Sequence, residues 1–303
     1  MKLVLAGGTG FIGTPLRQTL VGDGHEVILL TRYPSRVAVA AGQQLRAVAW
    51  RPGIAGEWTA HLDGVDGIIN LAGEPIANKR WTAQQKARIR DSRISATASL
   101  VDAIGRLTRK PATLINASAV GYYGPRGDES LDESAVSGQG FLADVCRQWE
   151  ATARRAESLG VRVVCLRIGV VLANDGGALA KMLPPFRLGL GGPVGSGRQW
   201  FSWIHRDDVI GLIRFALTHE TLRGPVNATA PEPVTMRQFA TALGRALHRP
   251  SGLPAPAFAL RLVLGEMSEM LLTGQRVVPV VAQRSGYAFG YPSLDRALAA
   301  ALS

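Results

Sequence analysis

The chain has 303 residues, 47% of them hydrophobic and 19% charged, which supplies a sizeable core and excludes a disordered polymer. Two cysteines cannot build a disulfide framework or a metal cluster, and no apolar run of membrane-spanning length is free of charge or glycine. The net charge of +11 comes from 34 basic residues, the arginines among them scattered from Arg17 to Arg296 without a helix-turn-helix, zinc or RNA-binding signature, so we expect a cytoplasmic protein with neither nucleic acid nor membrane as partner.

Short branched runs alternate with amphipathic stretches from the start. Strands are predicted at Lys2 to Ala6, Glu26 to Leu30, Leu45 to Trp50, Gly67 to Leu71, Thr113 to Ala117 and Val161 to Leu166, each apolar enough to be buried on both faces. Helices are predicted at Gly10 to Asp23, Thr82 to Arg109 and Phe141 to Leu159, so strand and helix take turns, the pattern of a doubly wound parallel sheet in the α/β class. LGLGGPVGSG (188–197) reads as a loop. Asp207 to Glu220 reads as a helix capped by Asp207, Thr235 to His248 as one capped by Thr235, Phe258 to Leu272 as a single helix, and the tail as a helix capped by Ser293. The expected organisation is a Rossmann domain over 1–170, to which 203–225 return, and a smaller C-terminal substrate lobe from 171–202 and 226–303.

KLVLAGGTGFIG places Gly7, Gly10 and Gly13 between the first strand and the first helix. Gly7 suits the tight turn, Gly10 lets backbone N–H groups approach a pyrophosphate, and Gly13 lets helix pack closely on strand. The second strand ends in EVILLTRYPSR, where a site selective for NAD needs a carboxylate for the ribose hydroxyls. Arg32 and Arg36 stand there instead, and an arginine fork grips a 2′-phosphate, so NADP(H) is the expected cofactor.

GGTGFIG, NLAG, SAVGYYG, LRIGVVL and WIHRDDV resemble, in order and spacing, an extended short-chain dehydrogenase/reductase. NLAGEPI, RIRDSRISAT, GFLADVCRQWE, GSGRQWFSWIH and the C-terminal stretch are similar to its NAD-dependent epimerase/dehydratase-like subgroup, which has a short C-terminal domain of its own. The resemblance spans essentially the whole chain. It implies cofactor contacts from Gly7, Thr9, Gly10, Phe11, Ile12 and Gly13, with Arg32 at the adenosine phosphate. It implies that Leu71, Ala72 and Gly73 run along the cofactor with Glu74 just beyond, and that Ser118 holds a substrate oxygen. The family's tyrosine and lysine pair is replaced by Leu142 and Cys146, and no tyrosine in the chain has a lysine four residues on. A second departure puts Phe201 where sugar-nucleotide epimerases carry a phosphate-binding arginine, leaving Arg198 nearby.

The expected function is therefore oxidoreductase or epimerase-like chemistry on a small molecule. Ser118 would orient the substrate and Tyr123 would move the proton. The alternative is a catalytically silent sensor of NADPH. Trp81, Trp200, Phe201 and Trp203 are expected to flank the cleft as an aromatic wall, with Trp203 leaning toward the core, and His205 is expected to be a packed residue. The helices at 82–109 and 141–159 are expected to pair in a homodimer.

Overall fold

The computed structural model describes residues 1–40, 42–54 and 56–303. In chain order the elements are β1 (Lys2–Ala6), α1 (Gly13–Gly22), β2 (Glu26–Thr31), β3 (Leu45–Ala49), β4 (Gly67–Asn70), α2 (Ala83–Ile104), β5 (Thr113–Ala119), β6 (Ser130–Leu131), α3 (Phe141–Arg154) and β7 (Arg162–Ile168). They continue with β8 (Val170–Leu172), α4 (Gly177–Arg187), β9 (Trp200–Phe201), β10 (Trp203–His205), α5 (Arg206–Thr218), β11 (Gly224–Ala228), β12 (Val234–Thr235) and α6 (Met236–Ala246). The last are α7 (Ala257–Leu264), α8 (Glu269–Leu272), β13 (Arg276–Val277), α9 (Val280–Arg284) and α10 (Leu294–Leu302).

Seven strands pair in the order β11-β7-β5-β4-β1-β2-β3, all parallel. Alternation along each strand divides the core in two. Leu3, Leu5, Val27, Leu29, Val164 and Leu166 face α1 and α5, while Val4, Ala6, Ile28, Leu30, Val163 and Cys165 face α2 and the end of α3. The chain steps outward one way from β1 to β3 and the other way from β4 to β11, so the order reverses between β1 and β4. Doubly wound sheets open a ligand crevice at such a point, beyond the carboxyl ends of the strands.

A third apolar cluster, with Leu179, Leu183, Phe186, Trp203, Phe239, Leu243, Leu294 and Leu298, holds α4, α6 and α10 together. β11 pairs along β7 as far as Ala228, since a strand stopped at residue 225 would leave much of that edge of β7 unpaired, and Ala282 of α9 packs into the main core. Several helix boundaries differ from expectation, α2 ending at Ile104 and α3 at Arg154. α1 begins at Gly13, since Gly10 and its neighbours form the turn itself. His205, not Asp207, caps α5, its Nδ1 accepting from the Asp207 N–H at 3.3 Å. The stretch from Phe258 to Leu272 breaks at Gly265, whose φ of +60° is outside helical space. Thr235 caps α6 in a capping box with Gln238, as expected, while Ser293 precedes α10 without a side-chain cap bond. The helix α4 was hidden in the sequence by Pro184 and Pro185 within it. No helix among the described residues is long and apolar enough to cross a membrane.

Candidate functional site

The glycine turn is built by close approach. A methyl group on Gly7, where φ is +81°, would lie 2.6 Å from the Leu71 carbonyl carbon, and one on Gly13 would lie 2.2 Å from the Gly7 oxygen. Gly10 differs. A methyl there would meet only the Gly7 oxygen, at 3.4 Å, so the packing of the protein does not itself demand glycine at this position. Thr9 and Gly10 are exposed, and α1 begins with neither a capping side chain nor an acidic residue in its first turn. Among the described residues the N–H groups of Phe11 and Ile12 have no partner. Free donors at a helix N-terminus beside an open glycine fit a pyrophosphate. The Phe11 ring turns the other way, packing on Gly176 and Gly177 at the start of α4 with the Arg206 guanidinium 5.2 Å from its centroid.

Arg32 and Arg36 follow the carboxyl end of β2, both exposed and both beside the Tyr33 ring, at 5.9 and 4.7 Å. Among the described residues neither makes an ion pair. Across the crevice the segment from Leu71 to Glu74 is held from below. Leu71 N–H donates to the Ala6 oxygen, Ala72 N–H to Asn70 Oδ1 at 3.2 Å and Glu74 N–H to Ser92 Oγ at 2.9 Å. Asn70 is fully buried and tied to Asn116 and Thr97, with Trp149 Nε1 donating to the same threonine. A buried amide network satisfied on every side gives this loop a fixed course.

The expected catalytic pair is buried. Ser118 is 3% exposed and donates to Glu150 Oε1 at 2.6 Å. Tyr123 is sealed at 0% exposure: its hydroxyl accepts from Arg167 Nη1 at 2.9 Å and donates to Asn227 Oδ1 at 2.7 Å. Burial pushes its pKa up to about 12 despite the opposing pull of Arg167. Both hydroxyls are engaged by a buried ion pair. Arg167 grips Glu150 through Nε and Nη2, each at 2.9 Å, and the Tyr122 ring stacks on its guanidinium at 3.5 Å. Burial opposes the charge on Arg167, but Glu150 outweighs it and raises the pKa. Glu133, also buried, accepts from the N–H groups of Asn227 and Val281 and ties this network to β11 and α9.

Leu142 and Cys146 sit where α3 meets the turn after β5. A methyl on Gly121 would touch Leu142 Cβ at 3.3 Å, and Cys146 Sγ lies 3.7 Å from the Ala119 oxygen. Burial raises the Cys146 thiol to about 11, so the position carries no charge near neutral pH. The tryptophans form no single wall. Trp81 packs edge-on to Phe141, Trp200 donates to Asp128 beneath Arg276, Phe201 packs on Phe239, and Trp203 is core. His205 is packed as expected, stacked on Tyr291 with burial lowering its pKa. The sequence held one readable sign of the buried pair: Arg167 interrupts an otherwise branched apolar strand, and a charge so placed needs a partner.

Comparison with known proteins agrees with this architecture. Residues 3–228 match the NAD dependent epimerase/dehydratase family model, and residues 255–301 match a domain of unknown function, DUF1731. The chain is 44% identical over 99% of its length to an Arabidopsis thaliana chloroplastic epimerase family protein, an SDR39U1 homolog, covering 86% of that protein. It is 43% identical to the Mycobacterium bovis epimerase family protein Mb2239, covering 98% of this chain and 96% of the other. Among solved structures, human epimerase family protein SDR39U1 with NADPH superposes with a TM-score of 0.87 at 36% identity, covering 99% of each chain. A Bacillus cereus UDP-glucuronic acid 4-epimerase at 16% identity and a TM-score of 0.78 shares the fold alone. With the crevice at the strand reversal, the glycine turn beside it and both models matched in order, this chain belongs to the NAD dependent epimerase/dehydratase family.

Proposed function

We propose that the chain binds NADP(H) at the glycine turn and carries out oxidoreductase or epimerase-like chemistry on a small molecule. The observation that carries the cofactor choice is the pair of exposed arginines, Arg32 and Arg36, placed around Tyr33 with no carboxylate partner among the described residues. A 2′-phosphate gives both guanidinium groups an anion, whereas an unphosphorylated ribose gives them none. The N–H groups of Phe11 and Ile12 and the open face of Gly10 would hold the pyrophosphate, and Leu71, Ala72, Gly73 and Glu74 would border the cofactor opposite. The human relative crystallised with NADPH supports the same reading. When bound, the dinucleotide supplies hydride donation or acceptance at its nicotinamide. The chain's part is to orient the substrate and exclude water.

A second reading, a silent NADPH sensor, is favoured by the sealing of Ser118 and Tyr123 and by the uncharged Cys146. A cytoplasmic site suits both readings, since Cys146 and Cys165 are free thiols. Fluorescence titration tests the cofactor: NADPH should bind about tenfold or more tightly than NADH, a difference of about 1.4 kcal/mol or more, and Arg32→Ala should erase most of it. Equal affinity for the two would reject the role of Arg32. Absorbance at the reduced nicotinamide band with a carbonyl panel separates enzyme from sensor, because a sensor binds NADPH and consumes none.

A further inference from the structure

Arg93 projects from the middle of α2 against the loop after β4. A methyl on Gly73 would lie 3.1 Å from its Cζ and 3.3 Å from its Nη2, so the glycine lets the loop pack closely on the guanidinium. Nη1 is used twice, donating to the Glu74 oxygen at 3.0 Å and the Ile89 oxygen at 2.9 Å. The Trp149 ring backs the group, its centroid 5.2 Å from Cζ. Nε and Nη2 have no partner among the described residues, and neither is sealed from solvent.

Arg167 shows what that edge does when satisfied. There Nε and Nη2 take the two oxygens of the Glu150 carboxylate, a planar fork against a planar acceptor. Arg93 offers the same edge with no acid on it. The Glu74 carboxylate makes no ion pair with it, and burial keeps the neighbouring Cys146 thiol protonated. Burial also works against the charge on Arg93, yet a guanidinium stays protonated in proteins. Glu74 acts on Arg93 only through space, and a largely enclosed cation with no carboxylate bonded to it is costly, a cost relieved when an anion docks on its free edge.

We propose that the Nε and Nη2 edge of Arg93 binds a carboxylate of the substrate, which makes the substrate class a small organic acid. The proposal rests on the reading that the same crevice takes the dinucleotide. A phosphate of that dinucleotide is the other oxyanion within the crevice, so the test separates the two.

Oxalate is titrated calorimetrically into the whole protein, with and without saturating NADPH, and into Arg93→Lys, which keeps the charge and loses the fork. Saturable oxalate binding in both states, weakened about tenfold or more by the lysine, is the expected result. The wild type failing to bind oxalate, Arg93→Lys binding it equally well, or NADPH displacing it would each overturn the assignment, the last by giving the edge to the cofactor. Should NADPH not bind while oxalate binding depends on Arg93, the dinucleotide reading falls and the anion site stands. Phenylglyoxal labelling of the wild type, mapped by mass spectrometry, needs no variant. Oxalate should slow modification of Arg93 several-fold, and unchanged labelling would count against the site.

Discussion

Arg167, Glu150, Tyr123 and Ser118 illustrate how much of a residue's role is set by what lies beneath it. Removing the Tyr123 hydroxyl deprives Asn227 Oδ1 of its donor and Arg167 Nη1 of its nearest acceptor. Tyr123→Phe should therefore cost about 1–3 kcal/mol in urea unfolding while leaving the affinity for NADPH within experimental scatter. A proton donor would behave the other way, losing turnover and keeping stability. His205 makes a prediction in pH. Burial holds its pKa below the ordinary 6.5, against the pull of Asp207 and Asp208, so the fold favours the neutral ring. That contribution is complete above the unfolded value and is lost as pH falls through and below 6.5, where the unfolded chain takes up a proton that the folded ring resists. Thermal unfolding between pH 7.5 and 5 should show a steeper loss for the wild type than for His205→Asn, which keeps a capping acceptor. His25 and His61, also lowered by burial, are common to both proteins and drop out of the difference.

Among the elements, the turn joining β1 to α1 separates glycines the protein needs from one a ligand needs. Gly7 and Gly13 are demanded by backbone contacts within the fold, and Gly10 is not. Gly10→Ala should leave the melting temperature within a few degrees of wild type and weaken NADPH about tenfold or more, the methyl standing where the pyrophosphate must approach. A variant that bound NADPH normally would remove the dinucleotide from this turn. The strands and long helices of this part were legible because their periods are regular: branched runs for β1, β2, β4, β5 and β7, a capped amphipathic run for α6. α4 and the two-residue strands β6, β9, β12 and β13 were not. The first is interrupted by proline, and the others exist only as pairings between segments distant in the chain.

Across the whole molecule, the charge of +11 is distributed over an arginine-rich surface, and many of the cations are paired locally, as Arg155 is with Asp102 and Arg154 with Glu157. These residues lie on the outer faces of α2, α3 and the turn after it. A homodimer through those faces is therefore proposed as a polar, salt-sensitive association. Sedimentation velocity should show the dimer at low ionic strength giving way to monomer as salt is raised. A single monomeric species at every salt concentration would dismiss it.

The order of strands and helices, the doubly wound sheet, the glycine turn and the arginines after β2 were all determined by the sequence itself, because each depends on short-range periodicity or on spacing along one segment. Which side chains face the crevice was decided only by the tertiary structure. Ser118 and Tyr123 stand in a motif that reads as catalytic, yet packing of α3, β7 and β11 around them brings Glu150, Arg167 and Asn227 to their hydroxyls. Arg93, ordinary in a helix of many arginines, becomes distinctive once Gly73 and Trp149 enclose it and no carboxylate does. Burial and the presence or absence of a counter-charge are properties of residues far apart in the chain, so no local pattern records them.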